Sequence, residues 1–222
     1  MSNEQIGGET YDRVLAAATE VFAEVGYRGA TLREICRRGR ANIAAVNYHF
    51  RDKEQLYAEV LNRAVGEADE SFVQTVPNTL APAEDRLRHF VYAFLRELLG
   101  ADRHVQLLRL FTHEMIEPTP ALAMALEKIA RPLKGNLAAI IAELLGPAAA
   151  DAALVRDCAA SVMSQCVSYQ HSEACVRLLD GLDVHDPATI EHLADHVFRF
   201  SLAAIRGLAG QCQSSLEKVE AI

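Results

Sequence analysis

Apolar residues recur at every third and fourth position through most of the chain, and no segment keeps the strict alternation of a half-buried strand. The pattern is therefore all-α. A first helix is expected from Thr10 as N-cap to about Val25, with Val14, Leu15, Ala18, Val21, Phe22 and Val25 on one stripe and Gly26 ending it. Thr31 caps a second, short helix, TLREICRR, in which Leu32 and Ile35 face inward and Glu34 completes a capping box. Gly39 to Ala41 form a turn, and Asn42 caps a third helix through about Tyr48. Asp52, with Gln55 three residues later, opens a fourth helix carrying Leu56, Val60, Leu61 and Val65.

The stretch VPNTLAP at 76–82 holds two prolines and no helical period, which puts a boundary between about 66 and 82. Further helices are expected at 83–99 and 103–117, the latter interrupted at Pro118 and Pro120, and then at 121–145 with a break or kink at Pro132. Two long segments, 152–179 and 187–209, are rich in small and branched apolar residues and are separated by LDGLDVHDP.

Composition narrows the class. Half of the 222 residues are apolar, enough to bury a real core. No run approaches the roughly 18 uninterrupted apolar residues of a membrane span. The opening MSNEQIGGET lacks the basic and apolar regions of a signal peptide, so no membrane partner and a cytoplasmic location are expected. Five cysteines, Cys36, Cys158, Cys166, Cys175 and Cys212, contain no CxxC pair and read as buried reduced thiols.

The net charge of −8 runs against nucleic-acid binding, but the distribution of charge along the chain points the other way. Residues 1–65 are balanced, with nine Lys/Arg against nine Asp/Glu, so the whole excess of acid lies in 66–222. Between 28 and 53 seven basic residues face two acidic ones. A short basic segment on an acidic body is an electrostatic footprint for phosphate.

Two short helices joined by a tight turn, with longer helices before and after, match the arrangement whose second short helix enters a major groove. On a wheel from Asn42, Val46 points inward with Ala41 and Phe50, while Ala44, Asn47 and Tyr48 point outward and Ile43 and Ala45 flank them. Ile43, Ala44 or Ala45 can touch a thymine methyl, Asn47 an adenine edge or a phosphate, and Tyr48 and His49 phosphate oxygens. Thr31 and Lys53 stand at helix N-termini, where free amides attract anions. A plain helical hairpin inside a bundle fits the same spacing equally well.

The segment Arg13 to Leu61, above all TLREICRRGRANIAAVNYHFRDKEQLY, resembles the helix-turn-helix domain of TetR-family regulators, with the aromatic cluster Tyr48, His49, Phe50 before a Lys-Glu-x-Leu helix start. The resemblance implies a three-helix DNA-binding domain over 8–68 and a larger helical effector-binding and dimerisation domain over 69–222. It also implies a homodimer on a palindromic operator, usually repressing, released when a small molecule binds. Carried over by position, the DNA-facing residues are Thr31, Asn42, Ile43, Ala44, Ala45, Asn47, Tyr48, His49 and Lys53. Arg40 departs from the glycine common in the family's turn and adds a phosphate contact. Downstream, HVQLLRLFTHEMIEPTPAL and VMSQCVSYQHSEACVRLL resemble the CecR-like subgroup, which implies control of export or drug-sensitivity genes.

For the unidentified effector, residues near the proline break are candidates, since a broken helix can open a space. They are Arg109, His113, Glu114 and Met115, with Gln165, Tyr169 and His171 on a later helix. Core packing is the plainer account of each. His192 and His196, and His171 and Cys175, have i, i+4 metal-ligand spacing, but a surface histidine pair explains the first as well, and no metal or cofactor is implied. No GxSxG elbow or glycine-rich phosphate loop supports an enzyme. The alternatives are a ligand-binding or enzymatic helical protein with a vestigial helix-turn-helix, or an activator on the same scaffold. The extensive apolar faces of 152–179 and 187–209 predict a four-helix dimer interface, which would set two recognition helices about 34 Å apart.

Overall fold

In the computed structural model, residues 3–73, 80–100 and 105–220 are described, with side chains at 8–66, 80–100 and 106–212; among them no residue is in a strand. Most of the predicted linker at 76–82, and the expected helix start at Arg103, lie outside the described residues. Helix α1 is Asn3–Gly29. It begins seven residues before the expected cap at Thr10, because glycines at 7 and 8 cost a helix only about 1 kcal/mol each and do not forbid it. Gly26 interrupts α1 with φ 70° and ψ 177°, a conformation essentially closed to other residues.

Helices α2 (Leu32–Arg38), α3 (Ile43–Phe50) and α4 (Lys53–Val73) follow, then α5 (Ala83–Leu99), α6 (Val105–Ile116) and α7 (Pro120–Ala125). Next come a five-residue π turn (Leu126–Ala130) and α8 (Arg131–Leu145). The π turn ends two residues before Pro132, whose missing N–H and ring bar an ordinary helical bond there. After a 3₁₀ turn (Gly146–Ala150), Asp151 caps α9 (Ala152–His171) through the amides of Ala153 and Leu154. The expected helix 152–179 is in fact two, α9 and α10 (Glu173–Asp180), divided at Ser172 where the apolar stripe gives way to polar SYQHSE. Helix α11, Pro187–Glu220, runs eleven residues beyond its expected end, since Gly210 and the polar tail lower helix propensity without breaking it.

The chain forms two compact units, Met1–Asp69 with His104–Ile129, and Glu70–Arg103 with Ala130–Ile222. The first has a core of Val14, Leu15, Val21 and Phe22 from α1, Ile35 from α2, Val46 and Phe50 from α3, Leu56, Tyr57, Val60 and Leu61 from α4, and Leu110 from α6. Phe22 meets Tyr57 edge-on at 4.7 Å, and Tyr27 lies 5.0 Å from Tyr57. Helix α6 packs along α1, and the His113 ring fills the notch at Gly26, its Nε2 3.3 Å from the Ala23 carbonyl.

The second unit packs α5, α8, α9 and α11 against one another. The stripe Leu87, Phe90, Val91, Phe94, Leu95, Leu98 of α5 has the 3.6-residue period that buries one helix face. The run Pro120–Ala150 has a mean hydropathy of 1.2 over 18 residues. Its part in this unit buries Leu133, Leu137, Ile140 and Ile141 and exposes Arg131 and Lys134, the pattern of a core helix. Arg86 is buried and paired with Glu143, while Arg206 pairs with Glu84. Of the five thiols expected to be buried, Cys36, Cys158 and Cys166 are; burial pushes Cys166 up to about 12. Cys175 is exposed because α10 buries none of its residues.

Gly26 offers a direct check. An added Cβ would stand 2.9 Å from His113 Nδ1 on a backbone that only glycine adopts readily. Gly26→Ala is expected to cost about 1–3 kcal/mol, read as a lower urea midpoint at unchanged m-value.

Candidate nucleic-acid interface

The presented surface begins with two caps. Thr31 Oγ1 accepts from the Glu34 amide at 3.2 Å, and Asn42 Oδ1 accepts from the Ala45 amide at 2.8 Å. Each cap satisfies an amide otherwise left without a helical partner. The reciprocal half of the expected capping box is replaced. The Glu34 carboxylate accepts instead from Arg37 (2.6 and 2.8 Å) and Arg38 (2.8 Å), since a guanidinium outcompetes a neutral amide for an ionised acceptor. Arg38 also reaches Glu24 on α1 with two bonds of 2.7 Å, tying α2 to α1.

The turn between α2 and α3 assigns its glycine and its left-handed residue to neighbouring positions. The amides of Gly39 and Ala41 bond to the carbonyls of Ile35 (2.8 Å) and Cys36 (3.0 Å). Arg40 takes the left-handed conformation, φ 49°, where glycine is the usual residue. Gly39 answers a different need: its Cβ would lie 3.2 Å from the Arg13 carbonyl oxygen, so it lets the turn close against α1.

Helix α3 is eight residues long and two-faced. Val46 is fully buried and Phe50 nearly so, stacked on Tyr11 at 4.8 Å. On the other face Ala44, Asn47 and Tyr48 are exposed, Tyr48 at 84%, with Ile43 half exposed and Ala45 partly covered. His49 is half-buried, edge-on to Tyr11 and Tyr48. Asp52 caps α4 by accepting from the Gln55 amide at 2.9 Å. Lys53 lies with its ammonium 4.5 Å over the Tyr27 ring, and burial lowers its pKa.

Of the seven basic residues between 28 and 53, Arg28, Arg37 and Arg38 are engaged with carboxylates and Lys53 with Tyr27. Among the described residues Arg33, Arg40 and Arg51 have no ion pair and stay exposed. Arg33 and Arg51 were not singled out from the sequence, although they stand in the same basic run.

The effector candidates fall in both units. In the first, Arg109 and Met115 are exposed, His113 fills the Gly26 notch, and the buried Glu114 accepts from the Thr119 amide (2.8 Å) and hydroxyl (2.7 Å). In the second, Gln165 donates to Ser201 Oγ at 3.2 Å and borders a groove of about 260 Å³ between α9 and α11. Tyr169 is partly covered, and His171 bonds back to the Val167 carbonyl at 3.1 Å. His192 and His196 are exposed on α11, and among the described residues no three His, Cys, Asp or Glu side chains converge as a metal site.

Two family models match the chain: bacterial regulatory proteins of the tetR family over residues 14–60, and the C-terminal domain of the HTH-type transcriptional dual regulator CecR over 83–205. The dual regulator CecR of Shigella flexneri is 32% identical over 160 residues, covering 67% of this chain and 70% of that one. A solved tetR-family regulatory protein from Rhodococcus RHA1 shares the fold at a TM-score of 0.63 and 21% identity, over 92% of this chain and 98% of that one. So does AibR in complex with isovaleryl coenzyme A and operator DNA, at a TM-score of 0.58 and 17% identity, over 85% and 96% of the two chains.

The Glu34 cluster predicts a pH dependence. Hydrogen bonds from Arg37 and Arg38 hold Glu34 at about 2 against an ordinary 4.5. A carboxylate depressed by folding stabilises above its unfolded value and loses that contribution as pH falls through its folded one, here between about 4.5 and about 2. Glu34→Gln should therefore be less stable at neutral pH, with a flatter acid profile in chemical unfolding. Added salt should shrink the difference, since the group is exposed.

Proposed function

Because the chain belongs to the TetR family of transcriptional regulators, with a CecR-like C-terminal domain, we propose that it is a homodimeric, cytoplasmic repressor that leaves a palindromic operator when a small molecule binds. Its class is DNA-binding regulation rather than catalysis. The observation that carries the reading is the two-faced α3: Val46 and Phe50 lock one side into the core, so Ile43, Ala44, Asn47 and Tyr48 project together into solvent. Small side chains at 44 and 45 let the backbone approach base edges, with Ile43 and the alanines suited to thymine methyls and Asn47 to adenine. Thr31, Arg40, Asn42, Tyr48, His49 and Lys53 take phosphates, with register set by amides at the capped helix starts.

In this reading residues 8–68 hold the DNA and 69–222 the effector and the dimer contacts. The apolar α9–α11 face, where Phe200 is 59% exposed beside Leu154, Ala204 and Leu208, supports a four-helix interface with a second copy. Arg109, His113, Glu114, Met115, Gln165, Tyr169 and His171 are the effector candidates. An effector acts only through different affinities for the DNA-competent and released geometries; a coupling of about 1–3 kcal/mol weakens operator binding roughly 5- to 150-fold. Helix α4, continuous from Lys53 to Val73, is the proposed transmitter. The Shigella flexneri relative is named a dual regulator, which supports activation at other promoters by the same scaffold.

Selection of bound fragments from random duplex DNA should recover a palindrome. Asn47→Ala and Tyr48→Ala should each weaken its binding by about 1–3 kcal/mol. Arg40→Gly should reduce the salt slope by about one while stabilising the fold by about 1 kcal/mol, because glycine relieves the left-handed turn. No enriched sequence would sink the regulator reading. At the other end, Phe200→Glu should convert the protein to monomers in analytical ultracentrifugation and remove half-site cooperativity; an unchanged dimer would rule out that face.

A further inference from the structure

The first compact unit contains a cleft of about 440 Å³, within the size range of small-molecule sites. One wall is the end of α1 and the first turns of α4, with Tyr27, Tyr57 and Ala58; the other is the α6–α7 connection, with Pro118, Pro120 and Met124. Residues from both matched family segments, 14–60 and 83–205, therefore face the same space inside one packed body.

Its chemistry is selective. Glu54 and Glu117 stand on the cleft with one guanidinium, Arg28, which is already 3.4 Å from Glu117. Glu54 has no ion pair among the described residues, and the neighbouring Lys53 ammonium is directed onto the Tyr27 ring. Behind Thr119 lies the buried Glu114, bonded to Thr119 and without a cationic partner among the described residues. With Arg28 held by Glu117 and Lys53 by Tyr27, Glu54 is the unpaired charge on the cleft among the described residues.

Tyr57 supplies the second observation. Its side chain is 1% exposed and lines both this cleft and an adjoining cavity of about 80 Å³, yet its hydroxyl has no hydrogen-bond partner within bonding geometry. Burial, with the Glu114 carboxylate nearby, pushes its ionisation upward, so it stays a neutral hydroxyl that can donate towards Glu114 and accept from a guest. A buried orphan hydroxyl costs about 1–3 kcal/mol, which a ligand group can recover.

Resting on the effector-responsive reading above, but placing the effector in a cleft that 69–222 shares with the 8–68 segment in place of the candidates named there, we infer that this cleft is the effector site and that it takes a compact lipophilic amine. The hydrocarbon body lies against Tyr27 and the Pro118–Met124 wall, and the ammonium faces Glu54 and the Tyr57 hydroxyl. Aromatic walls add cation–π attraction. Because the guest touches residues adjacent to Lys53, occupancy acts on the start of α4, where the proposed phosphate anchor sits.

Calorimetry of the full chain, without DNA, with 4-phenylbutylamine and 4-phenylbutyrate tests this, since the two share a body and differ in charge. The amine should bind at least about tenfold more tightly than the acid. Glu54→Lys and Ala58→Leu should each weaken it by about tenfold, through charge and through lost volume. Tyr57→Phe should keep or raise the thermal midpoint, showing that the hydroxyl is not needed by the fold, while losing amine affinity about fivefold. No heat with the amine at about 1 mM, equal binding of the acid, or amine affinity unchanged in both Glu54→Lys and Ala58→Leu overturns the inference. These heats are measured apart from duplex selection, so a protein that binds the amine but no operator sinks the regulator reading alone, and the converse sinks only the site.

Discussion

An eight-residue helix does not stand by itself in water, because nucleation costs more than two turns of hydrogen bonds return. Everything α3 presents therefore depends on what holds it from behind. Val46 and Phe50 sit one turn apart and enter the core formed by α1 and α4, and Tyr11 stacks on Phe50 while its hydroxyl donates to Glu59 on α4 at 2.9 Å. The Asn42 cap fixes the entry and Arg51, at φ 64°, the exit. With both ends and one face determined, the orientation of Asn47 and Tyr48 follows.

The first unit is not confined to the segment that the tetR-family model matches. Helix α6, which belongs to the matched C-terminal segment, packs along α1 and fills the Gly26 notch with His113. Glu114, one residue on, holds the start of α7 through Thr119. Adjacent residues on one helix thus tie α1 on one side and the α6–α7 connection on the other. That connection, Tyr57 and the start of α4 therefore lie within one compact unit.

The fold was legible in the sequence wherever one strong local term decided. The caps at Thr31, Asn42 and Asp52, the breaker at Gly26, the interruption before Pro132 and the inward face of α3 each follow from side-chain chemistry within four residues. The misses came where weak terms compete. The start of α1 and the end of α11 rest on glycine and polar residues that tilt propensity by about 1 kcal/mol. The division at Ser172 depends on the loss of an apolar stripe rather than on a breaker. In the candidate site, residue types on α3 could be placed by the wheel, whereas partners could not. Nothing local says that Arg38 also reaches Glu24 on α1, or that Lys53 settles on Tyr27, because those choices are made across elements.

That distinction alters the electrostatic argument. The basic run between 28 and 53 has a formal excess of five positive charges, but charges already hydrogen-bonded to carboxylates contribute little to a phosphate field. Arg37 and Arg38 serve to join α2 to α1 through Glu34 and Glu24, and Arg28 faces Glu117. What is left without a carboxylate among the described residues is Lys53, over the Tyr27 ring, and the exposed Arg33, Arg40 and Arg51, one on α2, one in the turn and one just beyond α3. Of these, Arg40 and Arg51 hold left-handed backbone torsions, a conformational cost of about 1 kcal/mol or more each. Glycine would relieve both positions. A long cation kept at each end of α3 despite that cost fits the phosphate-contacting role proposed above for Arg40.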